Sequence, residues 1–133
     1  MNIFSALTAA VCALCATPLL AQELTGTLKK VKDNRSIAIG HREASVGFSH
    51  TDGSSKPIGY SLEICNRIID EIKKEIKTTS LEIKYQLATS TNRIPLATND
   101  TVDIEFGMMT TLIERQQQVD FRPIFFATTY EWM

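Results

Sequence analysis

Two rhythms of apolar and polar positions run along this chain, and they alternate. From Tyr60 to Lys77 the residues Leu62, Cys65, Ile69, Ile72 and Ile76 fall on one stripe, with Ile68 beside them and Asp70, Glu71, Lys73, Lys74 and Glu75 opposite. That is the period of an amphipathic helix. From Leu81 to Leu87 the period drops to two: Leu81, Ile83, Tyr85 and Leu87 alternate with Glu82, Lys84 and Gln86. This predicts a strand with one wet face, near a sheet edge. Ser36 to Gly40 holds Ile37, Ala38 and Ile39 in succession, the look of a strand buried on both faces. Upstream, Leu24, Leu28 and Val31 recur at helical spacing among lysines and predict a short helix.

The remaining elements follow the same logic. Phe48 to Tyr60 is dense in turn formers, Thr51-Asp52-Gly53-Ser54-Ser55-Lys56-Pro57, and reads as a loop. Ser90 to Thr98 reads as a short helix with Ser90 or Thr91 as N-cap, which puts Arg93 one turn in. Val102 to Gly107 is a third strand. A further helix is capped by Thr110 or Thr111 and runs through Gln118, and a final strand lies within Phe121 to Trp132. Strand and helix in alternation predict an α/β fold: an open, mostly parallel sheet with helices on both faces. On such sheets ligands bind beyond the carboxyl ends of the strands, where strand order switches. Arg42, Ser90 with Arg93, and Met108 to Thr111 each follow a predicted strand, so all emerge along that one edge.

Composition narrows the picture. The chain has 133 residues, 44% hydrophobic and 22% charged, with net charge -1. It fits one small globular domain and carries no basic stripe of the kind nucleic acid requires. Residues 1–21 contain no charged side chain and are rich in Ala, Leu, Val and Cys, which reads as a secretory signal peptide ahead of a domain spanning residues 22–133. A membrane anchor is the competing reading, but Pro18 interrupts it. Removal of the leader takes Cys12 and Cys15 with it and leaves Cys65 as a small buried hydrophobe on its helix stripe.

The chemistry-bearing residues are few. Arg42 and Arg93 present planar forks of donors suited to carboxylates. Each has a plain alternative: an ion pair with Glu43 or Glu105 for Arg42, and a surface pairing for Arg93. Glu105 alternates with apolar neighbours in its strand and needs a partner, either one of the two arginines or a lysine. His41 is expected to be packed at a strand end, and His50 to be solvated in a turn. No second His, Cys or Asp lies at ligand spacing, so no metal is expected. The sequence holds no G-x-S-x-G motif and no phosphate-cradling glycine loop, and neither catalysis nor a cofactor is expected.

Taken in order, Gly40-His41-Arg42-Glu43 with Ser45, Phe48 and Ser49, then Gly59-Tyr60-Ser61-Leu62-Glu63, then Thr89-Ser90-x-Asn92-Arg93-Ile94-Pro95-Leu96, then Asp103-x-Glu105-x-Gly107-x-x-Thr110 and Glu114-Arg115-Gln116 resemble the first lobe of bacterial periplasmic amino-acid-binding proteins. The resemblance is to solute-binding protein family 3, in particular its glutamate/aspartate-binding members from ABC uptake systems, and spans roughly Leu24 to Ala127. It implies the first lobe of a type II periplasmic-binding-protein fold, acting as a monomer in the periplasm with an ABC permease as partner. It also implies that Arg93 grips a ligand α-carboxylate with help from Ser90, that Arg42 reads a side-chain carboxylate, and that Thr110 contacts the ligand near its α-carbon. The family's Gly-Ser-Thr-Thr appears here as Gly107-Met108-Met109-Thr110, so Met108 places an apolar chain and a backbone carbonyl at the crevice. Because members carry a second lobe, the chain is expected to be a fragment of a longer product or a truncated reading frame. The competing function is a lobe of an enzyme that reuses this fold, dehydratase-like or lytic-transglycosylase-like.

Overall fold

The computed structural model describes residues 23–123. The expected signal peptide and most of the expected final strand lie outside them. Three strands, β1 (Ser36–His41), β5 (Glu82–Leu87) and β6 (Ile104–Phe106), form a parallel sheet in the order β5-β1-β6. Ile37 and Ile39 of β1 are fully buried. They pack with Val31 of α1 (Gly26–Asn34), Cys65 and Ile69 of α2 (Tyr60–Glu75), the nearby Ile76, and Phe106. Apolar side chains from two helices and two strands thus close one core, and the α/β class with a parallel sheet is present as the alternating rhythms indicate. As expected, β5 is an edge strand among the described residues; the expected single wet face is not seen, because Tyr85 and Leu87 of the apolar face are exposed and of β5 only Ile83 is partly covered.

The segment expected to be a loop is more ordered than its composition suggests. β2 (Ala44–Ser45), β3 (Ser49–Thr51) and β4 (Pro57–Ile58) form a small antiparallel sheet in the order β2-β3-β4. Asp52 organises the turn between β3 and β4: its Oδ1 accepts the Ser54 Oγ hydroxyl at 2.7 Å and the main-chain N–H groups of Ser54 and Lys56 at 2.9 Å each. Those three hydrogen bonds, led by the Ser54 hydroxyl, hold its carboxyl below the usual carboxylate range. Pro57 is tolerated because β4 is an edge, where its missing N–H breaks no ladder. Where β4 hands over to α2, Gly59 takes φ 124°, and a Cβ there would strike the carbonyl of Phe48. This close approach lets Ser61 N–H reach that same carbonyl at 2.9 Å and seats the helix on the small sheet.

Asp103 fixes the other end of β6. Its Oδ1 pairs with Lys30 Nζ at 2.9 Å, and its Oδ2 accepts the Ala38 N–H at 2.8 Å. Its own N–H donates to the Ala38 carbonyl at 2.8 Å. Asp103 is therefore the residue that meets a lysine, and Glu105, two positions on, is left for another partner.

The short helices differ from expectation at their ends. α3 (Arg93–Thr98) starts at Arg93, which is thus its first residue rather than one turn in. Asn92 occupies the N-cap position in place of Ser90 or Thr91. Pro95 falls in the first turn, where the N–H it lacks would have had no helical partner. α4 (Ile113–Gln116) is one turn, preceded by Leu112 rather than capped by Thr110 or Thr111.

Candidate functional site at the carboxyl edge of the sheet

The parallel strands all end on the same side. β5 and β6 flank β1, and the chain crosses β1 through α3 to get from one to the other. The segments leaving the three strands therefore meet at this switch in strand order, as the general rule for α/β sheets requires.

Arg42 is the first residue beyond β1. Its N–H donates to Ser49 Oγ at 2.9 Å, and Ser49 Oγ donates to the Arg42 carbonyl at 2.9 Å. Its side chain reaches across the edge, and Nη1 donates to Ser90 Oγ at 3.0 Å. Ser90 is exposed in a turn closed from both sides: Thr89 N–H donates to Asn92 Oδ1 at 2.7 Å, and Asn92 N–H donates to Thr89 Oγ1 at 3.2 Å. That reciprocal pair explains why Ser90 is not the helix cap. The turn leaves its hydroxyl facing Arg42. Neither Glu43 nor Glu105 forms an ion pair with Arg42 among the described residues.

Arg93 is buried, with 5% of its surface exposed. Nη2 pairs with Glu105 Oε1, and Nη1 donates to the Met108 carbonyl at 2.8 Å. Nε is buried and has no hydrogen-bond partner among the described residues. The surface-pairing alternative for Arg93 is thus excluded, and of the two partners open to Glu105 the structure selects an arginine.

Two glycines make this packing possible. A Cβ on Gly40 would stand 3.0 Å from Glu105 Cγ. A Cβ on Gly107 would stand 2.6 Å from Arg93 Nη2, 2.6 Å from Glu105 Oε1 and 2.7 Å from Arg42 Cγ. Arg42 and Arg93 therefore converge on one point. Glu105 pairs with Arg93 alone, and the Arg42 guanidinium, turned to Ser90, has no carboxylate partner among the described residues, which suits an incoming anion.

Met108 is nearly half exposed, and its backbone carbonyl rather than its side chain engages Arg93. Thr110 is exposed on the same strand-end loop, and its carbonyl accepts from Arg115 Nη1 at 3.0 Å. His41 is packed at the end of β1, edge-on to Tyr85 with ring centroids 6.0 Å apart. His50 departs from expectation: it lies in β3, opposite Ala44 and Ile58, and its Nδ1 is buried rather than solvated. No cluster of His, Cys, Asp and Glu able to hold a metal occurs among the described residues. Sequence reasoning missed Ser49, which was visible only as one letter of a motif. The signal that could have found it is a lone serine placed to pair beside a strand end.

Residues 37–131 match the family model of bacterial extracellular solute-binding proteins, family 3. The chain is 50% identical over 115 residues to an L-glutamate/L-aspartate-binding protein of Pseudomonas aeruginosa, covering 86% of this chain and 38% of that protein. It is 43% identical over 101 residues to a glutamate/aspartate import solute-binding protein of Escherichia coli, covering 76% and 33%. Among solved structures, a cysteine-binding protein from Campylobacter jejuni superposes with a TM-score of 0.63 at 26% identity, covering 73% of this chain and 38% of that one. The chain thus spans about a third of the length of these curated relatives.

Proposed function

Because this chain belongs to the bacterial extracellular solute-binding proteins, family 3, we propose that it forms the first lobe of a periplasmic receptor that binds glutamate or aspartate for ABC-type uptake. The observation that carries this reading is the convergence of Arg42 and Arg93 on Gly107, with the Ser90 hydroxyl alongside. Arg93, held by Glu105 and the Met108 carbonyl, receives the ligand α-carboxylate. Ser90 adds a hydroxyl donor. Arg42 receives the side-chain carboxylate and so separates an acidic amino acid from its amide. Thr110 and the Met108 backbone line the same edge, near the ligand α-carbon.

The role we read here is binding, in keeping with both relatives, which are named for binding. The greater length of the relatives supports a second lobe that closes over the ligand, and closure would present the receptor to its membrane permease. Residues 1–21 serve as the export signal and residues 22–133 as the lobe, acting as one copy in the periplasm.

Isothermal titration of the full-length gene product with glutamate, aspartate and glutamine tests this. Arg42→Ala should weaken glutamate by about 2–5 kcal/mol, the usual cost of removing one partner of a charged hydrogen-bonded pair, and affect glutamine much less. Glutamate affinity unchanged in both Arg42→Ala and Arg93→Ala rejects the assignment.

A further inference from the structure

Building on the acidic-solute reading, we propose that Ser49 is a specificity-positioning residue, whose hydroxyl aims Arg42 and thereby sets discrimination between an acidic ligand and its amide. At Arg42 the sheet has run out. The last ladder bond on this side is Ala88 N–H to the His41 carbonyl at 2.8 Å, and β2 does not begin until Ala44. Arg42's main-chain N–H and carbonyl both bond one side-chain atom, Ser49 Oγ, at 2.9 Å each; the carbonyl also lies 3.3 Å from His41 Nδ1, but only Ser49 reaches the N–H. A hydroxyl has one proton to give and lone pairs to receive, so a single small oxygen can do both at once. Ser49 is fully buried. Its own place is fixed by pairing with Ser45 across β2 and β3, and by the neighbouring Phe48 carbonyl, which accepts from Ser61 of α2.

Fixing the main chain matters because an arginine head sits at the end of a long, rotamer-rich stem. From this clamped base Arg42 runs past Gly107 to Ser90. Arg93 depends on different supports, Glu105 and the Met108 carbonyl. Ser49 therefore acts through one arginine and not the other. Its loss should damage reading of the side-chain carboxylate and leave grip on the α-carboxylate intact.

The test is isothermal titration of the full-length gene product with glutamate and with glutamine, on wild type, Ser49→Ala, Arg42→Ala and the double variant. Far-UV circular dichroism checks each fold. Ser49→Cys, which keeps the packing but offers only a weak donor, serves if Ser49→Ala does not fold. Ser49→Ala should weaken glutamate by about three- to tenfold, the span of one neutral hydrogen bond, without weakening glutamine. In the Arg42→Ala background it should have no further effect. Equal losses for both ligands, no loss for either, or the same loss without Arg42 would overturn the proposal. The two readings fail separately. If Arg42→Ala leaves glutamate affinity intact, the acidic-solute reading itself falls; if Arg42→Ala weakens glutamate and Ser49→Ala does not, only the role of Ser49 falls.

Discussion

Replacing Gly107 with alanine adds one methyl group at the point where the site is most crowded. The backbone there does not require glycine, since Gly107 is not among the residues with positive φ. The cost is therefore steric. The new carbon would sit 2.6 Å from Arg93 Nη2 and from Glu105 Oε1 and 2.7 Å from Arg42 Cγ, whereas non-bonded atoms prefer about 3.5–4.0 Å. Two of these atoms form a buried ion pair, so they cannot both retreat without parting. Overpacking of this kind costs about 1–3 kcal/mol. For a domain of this size that is a drop in Tm of roughly 5–20 °C. Glutamate affinity should fall as well, because the Arg93 guanidinium and the stem of Arg42 are displaced. Gly53→Ala is the control: a Cβ there meets nothing within 4 Å, and its φ is not positive. It should stay within about 1 kcal/mol of wild type. Thermal denaturation followed by circular dichroism, with titration calorimetry for glutamate, reads both effects. A Gly107→Ala protein that melts and binds like wild type would sink the reasoning, as would equal losses in the two variants.

Two further outcomes follow from the buried groups. Arg93→Met should cost about 3–5 kcal/mol because it strands the Glu105 carboxylate, and adding Glu105→Leu should restore much of that stability without restoring ligand binding. Urea unfolding measures it, and a double variant no more stable than Arg93→Met would refute the pairing argument. Burial pushes the Cys65 thiol from 9.0 up to about 12, so the native state holds this proton more tightly than the unfolded chain. Its contribution to stability is fully present below pH 9 and is lost as pH rises toward 12, by up to about 1.4 kcal/mol per pH unit. Cys65→Ala should flatten that part of the stability profile, and parallel profiles for the two proteins would refute it. Peptide mapping after thiol alkylation at pH 8 should likewise find Cys65 protected until the protein unfolds.

The strong periodic signals were legible in the sequence because burial imposes them. The stripe of Leu62, Cys65 and Ile69 gave α2 almost to the residue, and the apolar run at Ile37 gave the central strand. The site was legible in outline too, since strand ends can be counted and arginines stand out. Three things were not. The small sheet of β2, β3 and β4 is made of strands of two and three residues, too short for any period to register. Helix α3 starts late because Thr89 and Asn92 close a turn through side-chain to main-chain hydrogen bonds, a competition that propensity does not rank. Which carboxylate of Asp103 and Glu105 met which cation depended on α1 bringing Lys30 to one end of β6 and α3 bringing Arg93 to the other.

That division of the two carboxylates also guards against misfolding. Sliding β6 by two residues along β1 would keep every side chain on its own face, so hydrophobic burial alone would scarcely notice the error. The charges would. Such a slip would carry Asp103 or Glu105 out of reach of its cation and leave the Ala38 N–H unanswered. The spacing of these acids thus works as a ruler for strand alignment, and the same alignment sets how far Gly107 stands from both arginines.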